Sequence, residues 1–153
     1  MINAYTVLLS LHILAAVLWV GGGGTLQVLG RQALASGDRA RMQAFSEQAE
    51  WIGPRFYAPL SVVLMVAGLF LVDQAGYEFS ELWVGLGMAG WFVSFVIGIA
   101  YYPRAGKKRD QIIATEGLES GAFLANYKQA ATVNLIELLI LAAVVVEMAI
   151  KPT

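Results

Sequence analysis

The chain contains no cysteine among its 153 residues. This absence excludes disulfides, thiolate metal sites, iron–sulfur clusters and cysteine nucleophiles. Charge is also scarce, because only 14% of the residues are Asp, Glu, Lys or Arg, whereas soluble domains carry roughly a quarter. The formal net charge is −1 and there is no basic tail, so we expect no nucleic-acid partner.

Apolar residues are abundant and come in blocks. They make up 58% of the chain, and the mean hydropathy is +0.65. The blocks cover about residues 5–29, 56–73, 82–102 and 131–150. Each is close to the ~20 residues that cross a ~30 Å hydrocarbon core. The sequence therefore predicts an all-α fold: a four-transmembrane-helix bundle that forms a single integral membrane domain over residues 1–153, with the lipid bilayer as its partner.

Basic residues predict the orientation of these spans. Nine of the ten Lys and Arg residues lie between spans one and two or between spans three and four, and only Lys151 lies on the other side. Basic loops stay in the cytoplasm. We therefore expect both long connections to be cytoplasmic and both termini to lie outside.

The two long connections have helical patterns of their own. Ser36 or Asp38 can cap a first helix, and Gly117 and Gly121 interrupt the second connection. Such amphipathic cytoplasmic helices can lie at the headgroup level or extend a span into the cytosol. Residues 1–75 and 76–153 share this plan, which predicts two similar hairpin halves. The apolar positions are Met42, Phe45, Ala49 and Ile52 in the first connection, and Ile112, Ile113, Phe123, Leu124 and Tyr127 in the second.

Small residues indicate where helices approach closely in lipid. Gly90, Ser94 and Gly98 recur at a spacing of four in span three, and we expect a homo-oligomer through this face. Residues 21–24 of span one are four consecutive glycines. They allow either close helix contact or room for a flat ligand.

Ionisable residues within the spans are functional candidates, because they are expensive to keep in lipid. His12 is the single histidine, and it needs a partner: a backbone carbonyl, a side chain or haem iron. Glu137 shares a helix face with Asn134, and we expect it to be protonated or paired with an arginine near the boundary. Glu147 is expected to be an interfacial carboxylate. The side chains considered for His12 are Ser10, Asn134 and Glu147, and the arginines considered for Glu137 are Arg31, Arg55 and Arg104.

The residues 10–22, SLHILAAVLWVGG, resemble the opening helix of the DUF2269 family of bacterial integral membrane proteins. The resemblance continues through the turn at 36–38, Gly53-Pro54 and the ending at 149–152. It implies a multi-pass protein of the bacterial cytoplasmic (inner) membrane.

The first helix is also similar to that of copper-resistance CopD-like proteins and HemJ-type protoporphyrinogen oxidases. This similarity implies haem b with His12 as axial ligand to the iron, Trp19 and Gly22 beside it, and Arg31 as the basic residue that closes the helix. An enzyme of this kind would be a haem-linked oxidoreductase. The chain has no second histidine, so the other axial position needs Met, Tyr, a carboxylate, water or a partner subunit.

Three hypotheses follow from the sequence. The first is a membrane protein that binds haem b through His12. The second is a structural, oligomeric membrane protein without a cofactor. The third is a proton-coupled transporter that uses His12 and Glu137.

Overall fold

The structure is a computed structural model that describes residues 3–152, and within these residues it is helical and has no strand. Two five-residue π-helical segments interrupt the α-helices: a first π segment, Gly53–Tyr57, and a second π segment, Ile97–Tyr101. The α-helices are α1 (Ala4–Ala35), α2 (Arg39–Ile52), α3 (Ala58–Gln74), α4 (Leu82–Val96), α5 (Tyr102–Glu116) and α6 (Gly121–Ile150).

The first π segment joins α2 to α3 and the second joins α4 to α5, so the chain forms four long continuous helices. Each of the four is long and apolar enough to cross a membrane. The prediction of an all-α protein with four spanning helices is confirmed.

Local signals in the sequence set the helix boundaries. The Asp38 side chain accepts a hydrogen bond from the Arg41 N–H at 3.2 Å, which confirms Asp38 as the cap of α2. The Ser120 hydroxyl caps α6 in the same way. Gly117, with φ of 86°, ends α5, because few other residues adopt this left-handed conformation. The predicted interruption at Gly117 is therefore confirmed.

We call the end of the helices formed by residues 30–56 and 103–130 the basic end, and the opposite end, with the turn at 75–81, the terminal end. At the basic end α2 continues α3, and α5 continues α4. The connecting helices thus extend the spans. They enclose a small core with α1 and α6, in which the side chains of Phe123 and Met42 are fully buried.

Neighbouring spanning helices pack through small residues. α1 contacts α3 and α6, and α4 contacts α6. A Cβ atom on Gly90 would collide with the Val144 side chain of α6, and Ser94 is buried on the same side. The chain's own α6 therefore covers Gly90 and Ser94, while Gly98 is exposed. This corrects the predicted use of that face: a homo-oligomer stays a prediction, but Gly90 and Ser94 are not available to a second copy.

We expect Gly90→Val to destabilise the protein by about 1–3 kcal/mol, because the added methyl groups overpack the contact between α4 and α6. Gly85→Val on the same helix is the matched control, since a Cβ there meets nothing within 4 Å. Thermal unfolding of the purified proteins in detergent measures the difference. Equal losses of thermal stability would show that this contact does not depend on glycine.

Candidate functional site

A cavity of about 650 Å³ lies between the four long helices. It extends from the middle of the spans, near Trp19 and Leu141, to the basic end, near Phe45 and Arg109. Its walls are mainly apolar, with a few polar groups that point inward. Cavities of this size and character are typical of small-molecule sites.

Glu137 is the central polar group of this cavity. It is buried, and its two carboxylate oxygens accept hydrogen bonds from two hydroxyls. The Ser94 hydroxyl donates to Oε1, and the Tyr102 hydroxyl donates to Oε2 at 2.7 Å. Because a buried carboxylate without partners is costly, these two donors are what allow it to remain inside the bundle.

The second π segment brings these donors to the same side. In a regular α-helix Ser94 and Tyr102, eight residues apart, would point ~80° away from each other around the axis. A π-helix has a wider turn, so five residues in this conformation reduce the rotation and remove most of the offset. Pro103 lies two residues after this segment and cannot donate a backbone hydrogen bond, which favours an irregular turn at this place.

Asn134, one turn before Glu137 on α6, forms a second polar group of the cavity wall together with Gln27 of α1. In the orientation that satisfies both of its amide atoms, Gln27 of α1 donates to the Asn134 side chain at 2.7 Å and accepts from the Arg31 Nε at 3.0 Å. The predicted proximity of Asn134 and Glu137 on one face is thus realised, with both lining the cavity.

Arginine pairing of Glu137 does not occur within residues 3–152. Arg31 bonds to Gln27, while Arg55 and Arg104 each donate to a backbone carbonyl four residues earlier in their own helices. The Trp51 carbonyl lies two residues before the first π segment, and the Ala100 carbonyl lies within the second, where the regular α-helical pattern is broken. Of the two states predicted for Glu137, pairing with an arginine is therefore wrong.

His12 lies away from the cavity, at the contact between α1 and α3. Its Nδ1 is 2.9 Å from the Leu64 carbonyl oxygen, and the ring packs against Gly68, where a Cβ atom would crowd it. A carbonyl accepts only, so Nδ1 carries the proton. The sequence-based alternative of an imidazole bonded to a backbone carbonyl is the arrangement seen here.

Trp19 and Gly22 face the cavity side of α1. Trp19 is buried and lines the cavity, and Gly22 lies against the ring of Tyr57, another lining residue. The large cavity is not lined by His12. The three residues predicted for haem are thus divided between two places, and haem binding stays a prediction.

Glu147 lies near the terminal end, beside Gly87 of α4. Both of its carboxylate oxygens are shielded and, within the part of the chain that the structure describes, have no hydrogen-bond partner. It therefore does not share a site with Glu137, and an interfacial role stays a prediction.

At the basic end an ion pair between a buried arginine and a partly exposed glutamate lines the cavity. The Arg109 guanidinium is 5% exposed and binds both oxygens of Glu50, at 2.7 and 3.1 Å. It also donates to Asp110 on its own helix. Gly106 makes room for the Glu50 carboxylate, because a Cβ atom there would collide with it. The pair links α2 to α5.

Sequence reasoning missed four residues of this site. Ser94 was assigned to packing alone, and Tyr57, Tyr102 and Arg109 were not assigned. The usable signal was the pair of prolines at the span boundaries, Pro54 and Pro103, since proline inside a helical run marks an irregular turn. No sequence pattern indicated that Arg109 would be buried.

Comparison with known proteins gives one family. The family model described as "Predicted integral membrane protein (DUF2269)" matches residues 6–152. No curated protein and no solved structure matches the chain.

We expect Arg109→Met to lower the stability by about 1–3 kcal/mol, because it leaves Glu50 without its cation. The loss stays in this range because the Glu50 side chain is 37% exposed, so that water can hydrate it. Lys108→Met, an exposed neighbour, is the control. Thermal unfolding measures both, and an equal effect of the two substitutions would contradict a role for the Arg109–Glu50 pair.

Proposed function

Since this chain belongs to the DUF2269 family of predicted integral membrane proteins, we propose that it binds a small, largely apolar molecule with a cationic or hydrogen-bond-donating group in its central cavity. Glu137 is the polar anchor for this group. The observation that carries the proposal is the position of a buried carboxylate in the wall of a 650 Å³ cavity.

The shape and lining of the cavity support an apolar ligand. Aromatic and aliphatic side chains such as Trp19, Phe95 and Leu138 form most of its wall. Apolar walls supply affinity by removing apolar surface from water, and a few polar groups fix the orientation of the ligand.

The charges of the cavity support a cation or a donor. Arg109 is matched by Glu50 and Asp110, so it contributes little free positive charge. Glu137 accepts from two neutral hydroxyls and has no cation within salt-bridge distance among the described residues. A carboxylate has about four lone-pair positions, which leaves capacity for a further donor.

Tetraphenylphosphonium and tetraphenylborate, which have the same shape and opposite charge, test the proposal. We expect the purified protein to bind the cation and not the anion, and Glu137→Gln to weaken cation binding by about tenfold or more. Equilibrium dialysis with the radiolabelled ions measures both.

Glu147→Gln is the matched control, because it removes the other carboxylate of α6 away from the cavity. Equal binding of the two ions, or equal effects of the two substitutions, would overturn the role of Glu137.

Haem b bound through His12 is a second candidate. One observation favours it: Nδ1 donates to the Leu64 carbonyl, which leaves Nε2 with the lone pair that an iron ligand needs. The resemblance to HemJ-type and CopD-like proteins that we infer from residues 10–22 would point the same way. Bound haem would supply one-electron chemistry. The cavity offers no support, because it adjoins Trp19 and not His12.

If haem is bound through His12, protein purified from haem-replete cells has a Soret band that His12→Ala abolishes and Glu137→Gln preserves. Absorption spectra of the oxidised and reduced protein give the answer. Colourless wild-type protein under these conditions would exclude this candidate.

Proton-coupled transport through both His12 and Glu137 receives less support. The two groups have different partners on different helices: His12 bonds to α3, and Glu137 bonds to α4 and α5.

The excess of basic residues favours a cytoplasmic basic end, with both termini outside a bacterial inner membrane. The cavity then approaches the cytoplasmic side.

A further inference from the structure

We infer that the ligand of the central cavity is a membrane-dissolved alkyl amphiphile with an amine head, and that it enters from the lipid through a window between the two π segments. The inference rests on the proposed function, because it names the class of ligand and its route to Glu137. Five features of the structure carry it.

A cross-link between α3 and α4 closes the window toward the terminal end. The Trp91 indole N–H donates to the Ser61 carbonyl at 3.0 Å, and Trp91 stacks on Phe95. Further toward the terminal end, Val72 packs against Trp83 and Val84. The two helices are therefore joined from Ser61 toward the terminal end.

The Arg109–Glu50 pair closes the window toward the basic end. It joins the extensions of the same two long helices, α2 and α5. Between this pair and the Trp91–Ser61 bond, the chain runs 11 residues on one side, from 50 to 61, and 18 residues on the other, from 91 to 109. Such lengths leave an opening of roughly 15 Å or more along the helix axes.

The helices are only loosely joined between these two cross-links. Among the bonds of the described residues, none connects 53–60 with 95–104. Among the described residues, the first π segment also makes no extensive contact with the second π segment or with α5. The residues that border the gap, including Pro54, Gly98 and Ile99, both line the cavity and are exposed.

The depth and the surface of the window indicate a lipid-soluble ligand. Both π segments lie at the boundary of an apolar span, at 56–73 and 82–102. Phe56 and Ile99 are 39% and 55% exposed beside the opening, as expected for side chains that contact acyl chains. A molecule dissolved in the bilayer therefore reaches the window without crossing water.

The position of the anchor indicates the head of this molecule. Tyr102 directly follows the second π segment, and its hydroxyl donates to Glu137. The carboxylate thus lies just inside the window. An ammonium head bound to Glu137 lets its alkyl chain extend back through the window into the lipid, which explains why one wall of the cavity is open at membrane depth.

The absence of cysteine makes the test direct. Gly98→Cys places one thiol at the window, where a Cβ meets nothing within 4 Å, and Gly85→Cys places one at an equally open position far from it. Each folded protein, in lipid nanodiscs, is blocked with benzyl methanethiosulfonate and then released with reductant. Since blocking follows folding, a failure to fold does not obscure the result.

The probe is a long-chain alkylamine with a diazirine on its chain, and a short-chain, water-soluble diazirine amine is its comparator. Mass spectrometry locates photolabelling on the cavity-lining parts of α1 and α6. We expect the block at position 98 to lower labelling by the long-chain amine about fivefold or more, reductant to restore it, and the block at 85 to have no effect.

The outcomes separate the two proposals. If the long-chain amine labels the cavity equally with the window blocked and open, the window is overturned while the cavity site stands. If the short-chain amine labels the cavity as well as the long-chain one, the ligand class is overturned. If neither amine labels the cavity, or Glu137→Gln leaves labelling unchanged, the proposed function itself fails.

Discussion

The structure depends on the need to satisfy one carboxylate within the membrane. Lipid offers no hydrogen bonds, so each polar group there must find its partner within the protein. Glu137 of α6 finds the hydroxyls of Ser94 and Tyr102, which lie on α4 and α5. These donors face the same side only because the second π segment reduces the helix rotation between them. The irregular turn and the satisfaction of this buried carboxyl group are therefore linked.

The irregular turns have costs that nearby side chains offset. The Arg55 side chain donates to the Trp51 carbonyl near the first π segment, and the Arg104 side chain donates to the Ala100 carbonyl within the second, where the regular α-helical hydrogen-bond pattern is broken. The two guanidinium groups are therefore engaged by backbone carbonyls, which explains why neither arginine pairs with Glu137. This arrangement also keeps the long helices continuous while they separate, and the cavity occupies the space between them.

The sequence predicted features that depend on composition and on single residues. Long apolar runs specify spans whatever packs against them, and Asp38 caps α2 through a local contact. The site depended instead on helix rotation. The bond between Ser94 and Glu137 was not predicted, because it depends on the long-range packing of α4 against α6. Tyr102 was not predicted, because the five-residue π segment before it changes which residues share a side, and no apolar pattern reveals that change. Arg109 was treated as one more positive charge, since burial by α2 is a long-range contact.

The need for a hydrogen-bond partner inside the membrane is met differently at His12 and at Glu137. The Leu64 carbonyl accepts from the one N–H of the neutral imidazole, and Gly68 lets the ring lie against α3. That bond stabilises the contact of two helices whether or not a ligand is present. Two hydroxyls satisfy part of the hydrogen-bond capacity of Glu137. Its carboxylate can accept further hydrogen bonds, and it faces a cavity far larger than a side chain. The energetic cost of an ionisable group in the membrane marks both residues as functional candidates. The unfilled space beside its acceptor gives Glu137 the stronger claim.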